Sequence, residues 1–175
     1  WVSRDGGASF TRDVQLSPYI FALSADYSDT GTYIAAGSYL AAIRISNTGR
    51  ESFPQIPTTI DFVNDLHVVE YLGQNQWIMA GTSSIFLRSI DDGQSFQQSQ
   101  LPIDMDIYAV AHGEGYVVAV GDHGKVLVSD DQGISWTDRS IATERYLGAA
   151  FIENGELTVY GQGGFIATLA LTSSP

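Results

Sequence analysis

The residues Ser129-Asp130-Asp131-Gln132-Gly133-Ile134-Ser135-Trp136 decide how this chain folds, because their pattern recurs along it. We call the pattern Ser-x-Asp-x-Gly-x-x-aromatic the box. Residues 3–10 and 89–96 repeat it in full, and residues 46–53 repeat it without the aspartate and the glycine. The closing aromatic residues are separated by 43, 43 and 40 positions, and a fixed period of this size predicts a repeat architecture.

A second feature, independent of the box, has the same period. Gly37, Gly81, Gly121 and Gly161 each end an apolar run, at steps of 44, 40 and 40 residues. A strand-like run precedes each of these runs, and another follows after a short turn. One repeat unit therefore contains two strands, a glycine turn, a third strand, the box and a fourth strand.

Four short strands in about 40 residues are typical of one blade of a β-propeller, in which blades stack around a central channel. The apolar residues show no sustained helical period. We therefore predict an all-β β-propeller built of four-stranded antiparallel blades, with about four blades in this chain. Residues 1–175 would form one domain, with blade units at about 20–57, 60–100, 104–140 and 145–175, the last completed by 1–16.

Two arrangements of these blades remain open. In one, the N-terminal box completes the last blade and closes a four-blade ring. In the other, the chain is part of a larger propeller and exposes two blade faces. Exposed apolar faces of that size promote association, so self-association is expected for the open form.

The residues of the box have local structural roles. The aspartate can accept hydrogen bonds from backbone N–H groups of its own turn, and the glycine allows a positive φ. The aromatic ring can pack in the gap between sheets. We therefore predict structural roles for Ser3, Asp5, Gly7, Phe10, Ser89, Asp91, Gly93, Phe96, Ser129, Asp131, Gly133 and Trp136.

The box resembles the Asp-box, or BNR, repeat of sialidases, sortilin-type receptors, xyloglucanases and bacterial surface proteins. The longer unit at residues 118–136 most resembles blades of the photosystem II stability/assembly factor-like family. This resemblance implies a non-enzymatic assembly or scaffold role with a protein partner, for which a membrane-protein assembly intermediate is one candidate.

Composition excludes several classes of function. With 8 basic and 20 acidic residues the formal charge is −12, which argues against binding to nucleic acid or to anionic membranes. The absence of cysteine excludes disulfides, thiolate metal sites and a cysteine nucleophile. No apolar stretch reaches the length of a membrane helix, so no transmembrane segment is predicted. We expect a periplasmic or otherwise extracytoplasmic location.

Binding by a propeller usually involves the face that carries the loops before the innermost strands. In this chain those loops and the glycine turns supply tyrosines among acidic and amide groups, which suit recognition of a protein or a sugar. The binding-face candidates are Tyr19, Tyr39, Asn64, Asp65, Asp104, Asp106, Asp122, His123, Glu144, Arg145 and Gln162.

Catalysis is the alternative function that the same loops could serve. Glycoside hydrolysis needs two carboxylates facing each other across a sugar, and the loops offer Asp65, Asp104, Asp106 and Glu144. Because solvated acidic loops are common in so negative a chain, we name no catalytic residue and expect no metal and no cofactor. A carbohydrate-active Asp-box protein, either a sugar-binding module or part of a glycoside hydrolase, remains the alternative function.

Overall fold

The computed structural model describes residues 5–11, 22–49, 51–52, 54, 56, 64–142 and 147–171. These residues form four separate antiparallel sheets, and they contain no α-helix. The all-β prediction is confirmed. Each sheet corresponds to one repeat unit of the sequence and is called a blade below.

The strands of each blade follow one another in space in the order of the chain. Blade 1 contains β1 (Ala22–Tyr27), β2 (Tyr33–Gly37), β3 (Ala42–Ile45) and β4 (Glu51–Ser52). Blade 2 contains β5 (Leu66–Gly73), β6 (Gln76–Gly81), β7 (Phe86–Ser89) and β8 (Gln97–Gln98). Blade 3 contains β9 (Ile107–Gly113), β10 (Tyr116–Gly121), β11 (Val126–Ser129) and β12 (Thr137–Asp138). The described part of blade 4 contains β13 (Leu147–Glu153), β14 (Glu156–Gly161) and β15 (Phe165–Ala170).

The blades pack face to face in chain order. β1 packs on β5, β5 on β9 and β9 on β13, so the first strand of each blade contacts that of the next. Among the described residues, no packing of similar extent joins β13 to β1. In the part of the chain that the structure describes, the four blades therefore form an open series. The side of a blade turned to its successor is called the forward face, and the other side is the backward face.

Three apolar layers, one between each pair of consecutive blades, make up the core. Successive residues of a second strand point to opposite faces, so β6 and β10 each contribute to two layers. The first layer includes Ile34, Ala36, Trp77, Met79 and Phe96. The second includes Ile78, Ala80, Phe86, Val117 and Ala119, and the third includes Val118, Val120, Val126, Leu157 and Val159.

Polar side chains join neighbouring blades at the end of the series where the boxes lie. Arg44 of β3 donates through Nε to the Asp92 carbonyl (2.6 Å) and through Nη2 to Asp92 Oδ2 (2.6 Å). Arg88, at the same position of blade 2, donates through Nε to the Gln132 carbonyl (2.9 Å). The repeated arginine therefore holds the following box against its own blade.

Candidate functional site

The candidate site lies at the end of the blades that carries the glycine turns, called the loop face here. Each glycine turn follows the second strand of a blade, and in blades 2 and 3 it lies next to the segment that leads into the first strand. A Cβ at Gly81 would collide with the Asp65 carbonyl oxygen, and one at Gly121 would collide with that of Asp106. Gly81 and Gly121 are therefore needed because two backbone segments approach each other closely.

Two of the predicted binding residues connect neighbouring blades. Asp65 precedes β5, and its Oδ1 accepts a hydrogen bond from the Tyr39 N–H in the glycine turn of blade 1 (3.1 Å). Asp106 precedes β9, and its Oδ1 accepts one from the Ser83 N–H in the turn of blade 2 (2.8 Å). Tyr39 and Ser83 both have a positive φ, of 59° and 53°. Each carboxylate is thus already engaged in joining two blades.

The same aspartates are also held within their own blades through the backbone. The Asp65 carbonyl accepts from the Thr82 N–H (3.0 Å), and the Asp106 carbonyl accepts from the Asp122 N–H (3.2 Å). In return, Thr82 Oγ1 accepts from the Asp65 N–H (3.0 Å) and Asp122 Oδ1 from the Asp106 N–H (2.8 Å). These reciprocal bonds fix the start of each first strand relative to its glycine turn.

Asp122 is the most constrained carboxylate of the loop face. Its Oδ2 lies 2.8 Å from His123 Nδ1 and 3.1 Å from Lys125 Nζ, and its side chain is 14% exposed. Burial alone would raise the pKa of Asp122, but the hydrogen bonds from His123, the Asp106 N–H and Lys125 outweigh it and lower that pKa. A general acid for glycoside hydrolysis needs a raised pKa, so Asp122 is unsuited to that role.

A cleft of about 300 Å³ opens between blades 2 and 3 on the loop face. Asp104 is exposed at its edge, and Met105 is buried beneath it. Among the lining residues Lys125 is the only basic one, and its ammonium group is paired with Asp122. The cleft is therefore acidic and open to solvent. Its lining consists of Ser83, Ser84, Asp104, Met105, Asp106, Asp122 and Lys125.

The other predicted binding residues are spread along the loop face. Tyr39 is 67% exposed, and the His123 side chain is 52% exposed. Gln162 is exposed in the turn of blade 4, whereas the Asn64 carbonyl accepts the Leu40 N–H (2.8 Å). Tyr19, Glu144 and Arg145 lie outside the described residues, as does Ser3 of the first box.

The cleft also contains residues that the sequence analysis missed. Ser83 and Ser84 occupy the same turn positions in blade 2 as His123 and Gly124 do in blade 3. Aligning the four glycine turns would therefore have placed both serines on the loop face. Lys125 follows the turn directly, and nothing in the repeat pattern marks it.

A second groove, of about 600 Å³, lies at the opposite end of blades 2 and 3 and is lined by residues 72–74, 76, 112–117 and 130–132. There His112 Nδ1 lies 3.1 Å from Glu70 Oε1, and this hydrogen bond raises the pKa of His112. The carboxylate of Glu114 accepts the Asn154 and Gly155 N–H groups of blade 4 (2.8 and 2.7 Å). At this end too, polar groups join the blades.

Two further features of the described residues concern metal binding and membrane insertion. Nowhere in the part of the chain that the structure describes do three His, Cys, Asp or Glu side chains gather as a metal site would require. His67 Nδ1 lies 2.9 Å from the Ile107 carbonyl, and its ring stacks on Tyr108. Among the described residues, no helix is long and apolar enough to span a membrane.

Comparison with known sequences identifies no family for the chain. No family model matches the chain. A Bacillus subtilis protein described as uncharacterized protein YkuO is 32% identical over 72 residues, which are 41% of this chain and 24% of that protein. The chain therefore spans about a quarter of this curated relative.

Solved structures resemble the chain over most of its length. YCF48 bound to D1 peptide superimposes with a TM-score of 0.69 at 18% identity, over 92% of this chain and 55% of that one. The computationally designed Ika4 protein gives 0.71 at 10% identity, over 91% and 96%. The GH74 xyloglucanase from Xanthomonas campestris gives 0.64 at 12% identity, over 89% and 31%. The chain spans about half of the YCF48 structure, and at these identities the likeness concerns the fold, which is that of a β-propeller.

Proposed function

We propose that this chain is a non-enzymatic protein-interaction scaffold of the photosystem II stability/assembly factor-like kind, built of Asp-box repeats. Its acidic loop face binds a basic peptide segment of a partner protein. The observation that carries the proposal is the use of Asp65, Asp106 and Asp122 in hydrogen bonds between and within blades. These hydrogen bonds hold the carboxylates in fixed positions, and binding of a charged partner needs a rigid charged surface of this kind.

The charge of the cleft supports a basic ligand. Asp104 is exposed at the rim, and the one ammonium group of the lining is already paired. Among the described lining residues, a cationic side chain would therefore meet several carboxylate groups and no free positive charge, and complementary potentials favour its approach. Tyr39, 67% exposed on the same face, offers a ring on which a peptide could pack.

One of the solved structures supports a peptide as the ligand. YCF48, whose structure superimposes on most of this chain, is bound to a peptide in that structure. A partner in the membrane-protein assembly class and an extracytoplasmic location follow from the resemblance of the repeats and remain part of the proposal. The alternative is a carbohydrate-active protein, which the likeness in fold to a xyloglucanase keeps as a competing outcome.

The proposal is tested by selecting a displayed library of random peptides on the immobilised full chain. We expect enrichment of lysine and arginine, and binding of the enriched peptides that weakens with salt. Asp104→Ala should weaken binding roughly fivefold, about 1 kcal/mol. Asp130→Ala is the matched control, because Asp130 is an exposed aspartate at the opposite end. Equal binding by wild type and Asp104→Ala would contradict the proposal.

The alternative is tested on the same protein with xyloglucan oligosaccharides. Binding of these sugars, or release of new reducing ends from them, would replace the scaffold function by a carbohydrate-active one. The scaffold proposal expects neither, at protein concentrations that saturate the selected peptides.

A further inference from the structure

The forward face of blade 4 has exposed apolar side chains at its centre. Phe151, Tyr160 and Ile166 are 54%, 42% and 62% exposed. Phe151 lies beside Thr158 and Thr168 in one cross-strand row, and Tyr160 lies beside Ile166 in the next. Three large apolar side chains therefore share one solvent-facing surface of the sheet.

The equivalent positions of the preceding blades are fully covered. Tyr160 corresponds to Ala80 of β6 and to Val120 of β10, counted back from the glycine that ends each strand, and both are 0% exposed. Phe86 of β7 and Val126 of β11, which pair with those two residues as Ile166 pairs with Tyr160, are also 0% exposed. In each of these cases the backward face of the next blade covers the forward face. The contacts between consecutive blades thus indicate that the backward face of a blade fits the forward face of blade 4.

The backward face of blade 1 carries exposed tyrosines, whereas Ile43 on the same face is 0% exposed. Tyr27 and Tyr33 are 61% and 44% exposed, and their rings stack with centroids 5.7 Å apart. Tyr33 takes the position of Trp77 in β6 and Val117 in β10, which are 0% and 3% exposed. Ile45 continues the row of Tyr27 and Tyr33 on the third strand. This surface therefore resembles the backward faces that the other blades bury.

We propose that the forward face of blade 4 binds the backward face of blade 1 of a second copy of this chain. Large apolar side chains of both faces are exposed in the described part of one copy. A second copy carries both halves of the interface. Head-to-tail contacts of this kind close into a ring when the rotation allows it, and two copies supply eight blades, within the range of known propellers.

Charge and area both support this occupant. The two rows named on blade 4 contain no charged residue, and the row on blade 1 contains one, Glu51, at its outer end beside Ile45. Charges are depleted at the centres of interfaces. A closed pair contains two such interfaces. If each large exposed side chain contributes roughly 100 Å², the pair buries on the order of 1,000 Å², near the lower limit for a specific interface.

The test is the solution mass of the full chain by light scattering on a sizing column. We expect a species of twice 18.9 kDa. Ile166→Lys, which changes the forward face, and Tyr33→Glu, which changes the backward face, should each return the mass to that of one chain. Ile134→Lys is the matched control, because Ile134 is also 62% exposed but lies in the box of blade 3.

Mixing the two variants separates head-to-tail pairing from other modes of association. The intact backward face of Ile166→Lys can bind the intact forward face of Tyr33→Glu, and the two new charges are of opposite sign. The mixture should therefore regain the doubled mass, although neither variant does so alone. A wild-type chain of single mass at every concentration, or variants that still pair alone, would overturn the proposal. Its failure would leave peptide binding at the loop face untouched.

Discussion

The same box occurs in two surroundings in this molecule, at residues 5–10 and in the interior of the blade series. The Ser9 N–H donates to Asp5 Oδ1 at 2.9 Å, and the Ser95 N–H donates to Asp91 Oδ1 at 2.9 Å. The local turn is thus alike in both. The closing aromatic residues differ, because Phe10 is 58% exposed and Phe96 is 4% exposed.

The comparison separates what the local sequence determines from what a neighbouring blade adds. The aspartate and serine form their hydrogen bonds with groups of the same turn, so these bonds need no neighbour. The aromatic ring and the glycine contribute to packing only where a second sheet lies against them. Most of the stability contributed by a box should therefore come from its burial between blades.

The largest expected effect concerns the aromatic residue. Phe96→Ala should lower the free energy of unfolding by about 3 to 5 kcal/mol, because it removes a buried ring from the first apolar layer. Phe10→Ala should change it by less than about 0.5 kcal/mol, since the ring is already largely in solvent. Urea unfolding of both variants measures the difference. Similar losses in the two variants would show that the first box is packed as the second is.

The box glycine should show the next largest difference. Gly7 and Gly93 both have a positive φ, of 92° and 74°. Alanine at Gly7 meets no atom within 4 Å and should cost about 1 kcal/mol from backbone strain. Alanine at Gly93 would in addition collide with Ile34 Cδ1, so the total should reach about 2 to 4 kcal/mol. Equal costs in thermal unfolding would argue against close packing of this box on blade 1.

The box aspartate should make stability depend on acid. Hydrogen bonds from the Ser135 hydroxyl and N–H lower the pKa of Asp131 from 3.8 to about 2. A lowered pKa stabilises the fold above the unfolded value, and this contribution is lost as the pH falls through the folded value. The difference in urea midpoint between wild type and Asp131→Asn should therefore shrink between pH 4 and pH 2. Asp130→Asn, one residue away, serves as the control, and parallel curves for wild type and Asp131→Asn would contradict this account.

The smallest effect is expected at the junction of blades 2 and 3. There, a hydrogen bond between His112 and Glu70 raises the pKa of His112 above 6.5. A raised pKa stabilises the fold below the unfolded value, and this contribution is lost as the pH rises through the folded value. His112→Gln should therefore cost more stability at pH 5.5 than at pH 8.5, by a few tenths of a kcal/mol for so exposed a pair. A cost independent of pH would exclude this ion pair.

Much of the fold could be predicted from the sequence because its repeats act locally. The period of the box and of the glycines such as Gly81 and Gly121 identified the blades, since each unit encodes its own turns. The order of strands within a blade followed from the same pattern. Because the repeat occurs four times, the incomplete box at residues 46–53 does not prevent the prediction of its blade.

The candidate site was harder to predict, because the roles of its residues depend on neighbouring blades. Sequence alone could not separate Asp106, which binds the turn of blade 2, from Asp104, two residues earlier and exposed. It also could not show that Tyr33 is exposed where Trp77, at the same place in the next repeat, is buried. Both distinctions arise from contacts between repeats, which a single repeat does not encode.

The central claim is that Asp106 joins blades whereas Asp104 remains available to a partner. The most direct test compares the free energies of unfolding of Asp106→Ala and Asp104→Ala, two changes of equal charge in one loop. Asp106→Ala should lose about 1 to 2 kcal/mol with its bond to the Ser83 N–H, and Asp104→Ala should lose less than about 0.5 kcal/mol. Equal losses, or a larger loss for Asp104→Ala, would contradict the division of roles on the loop face.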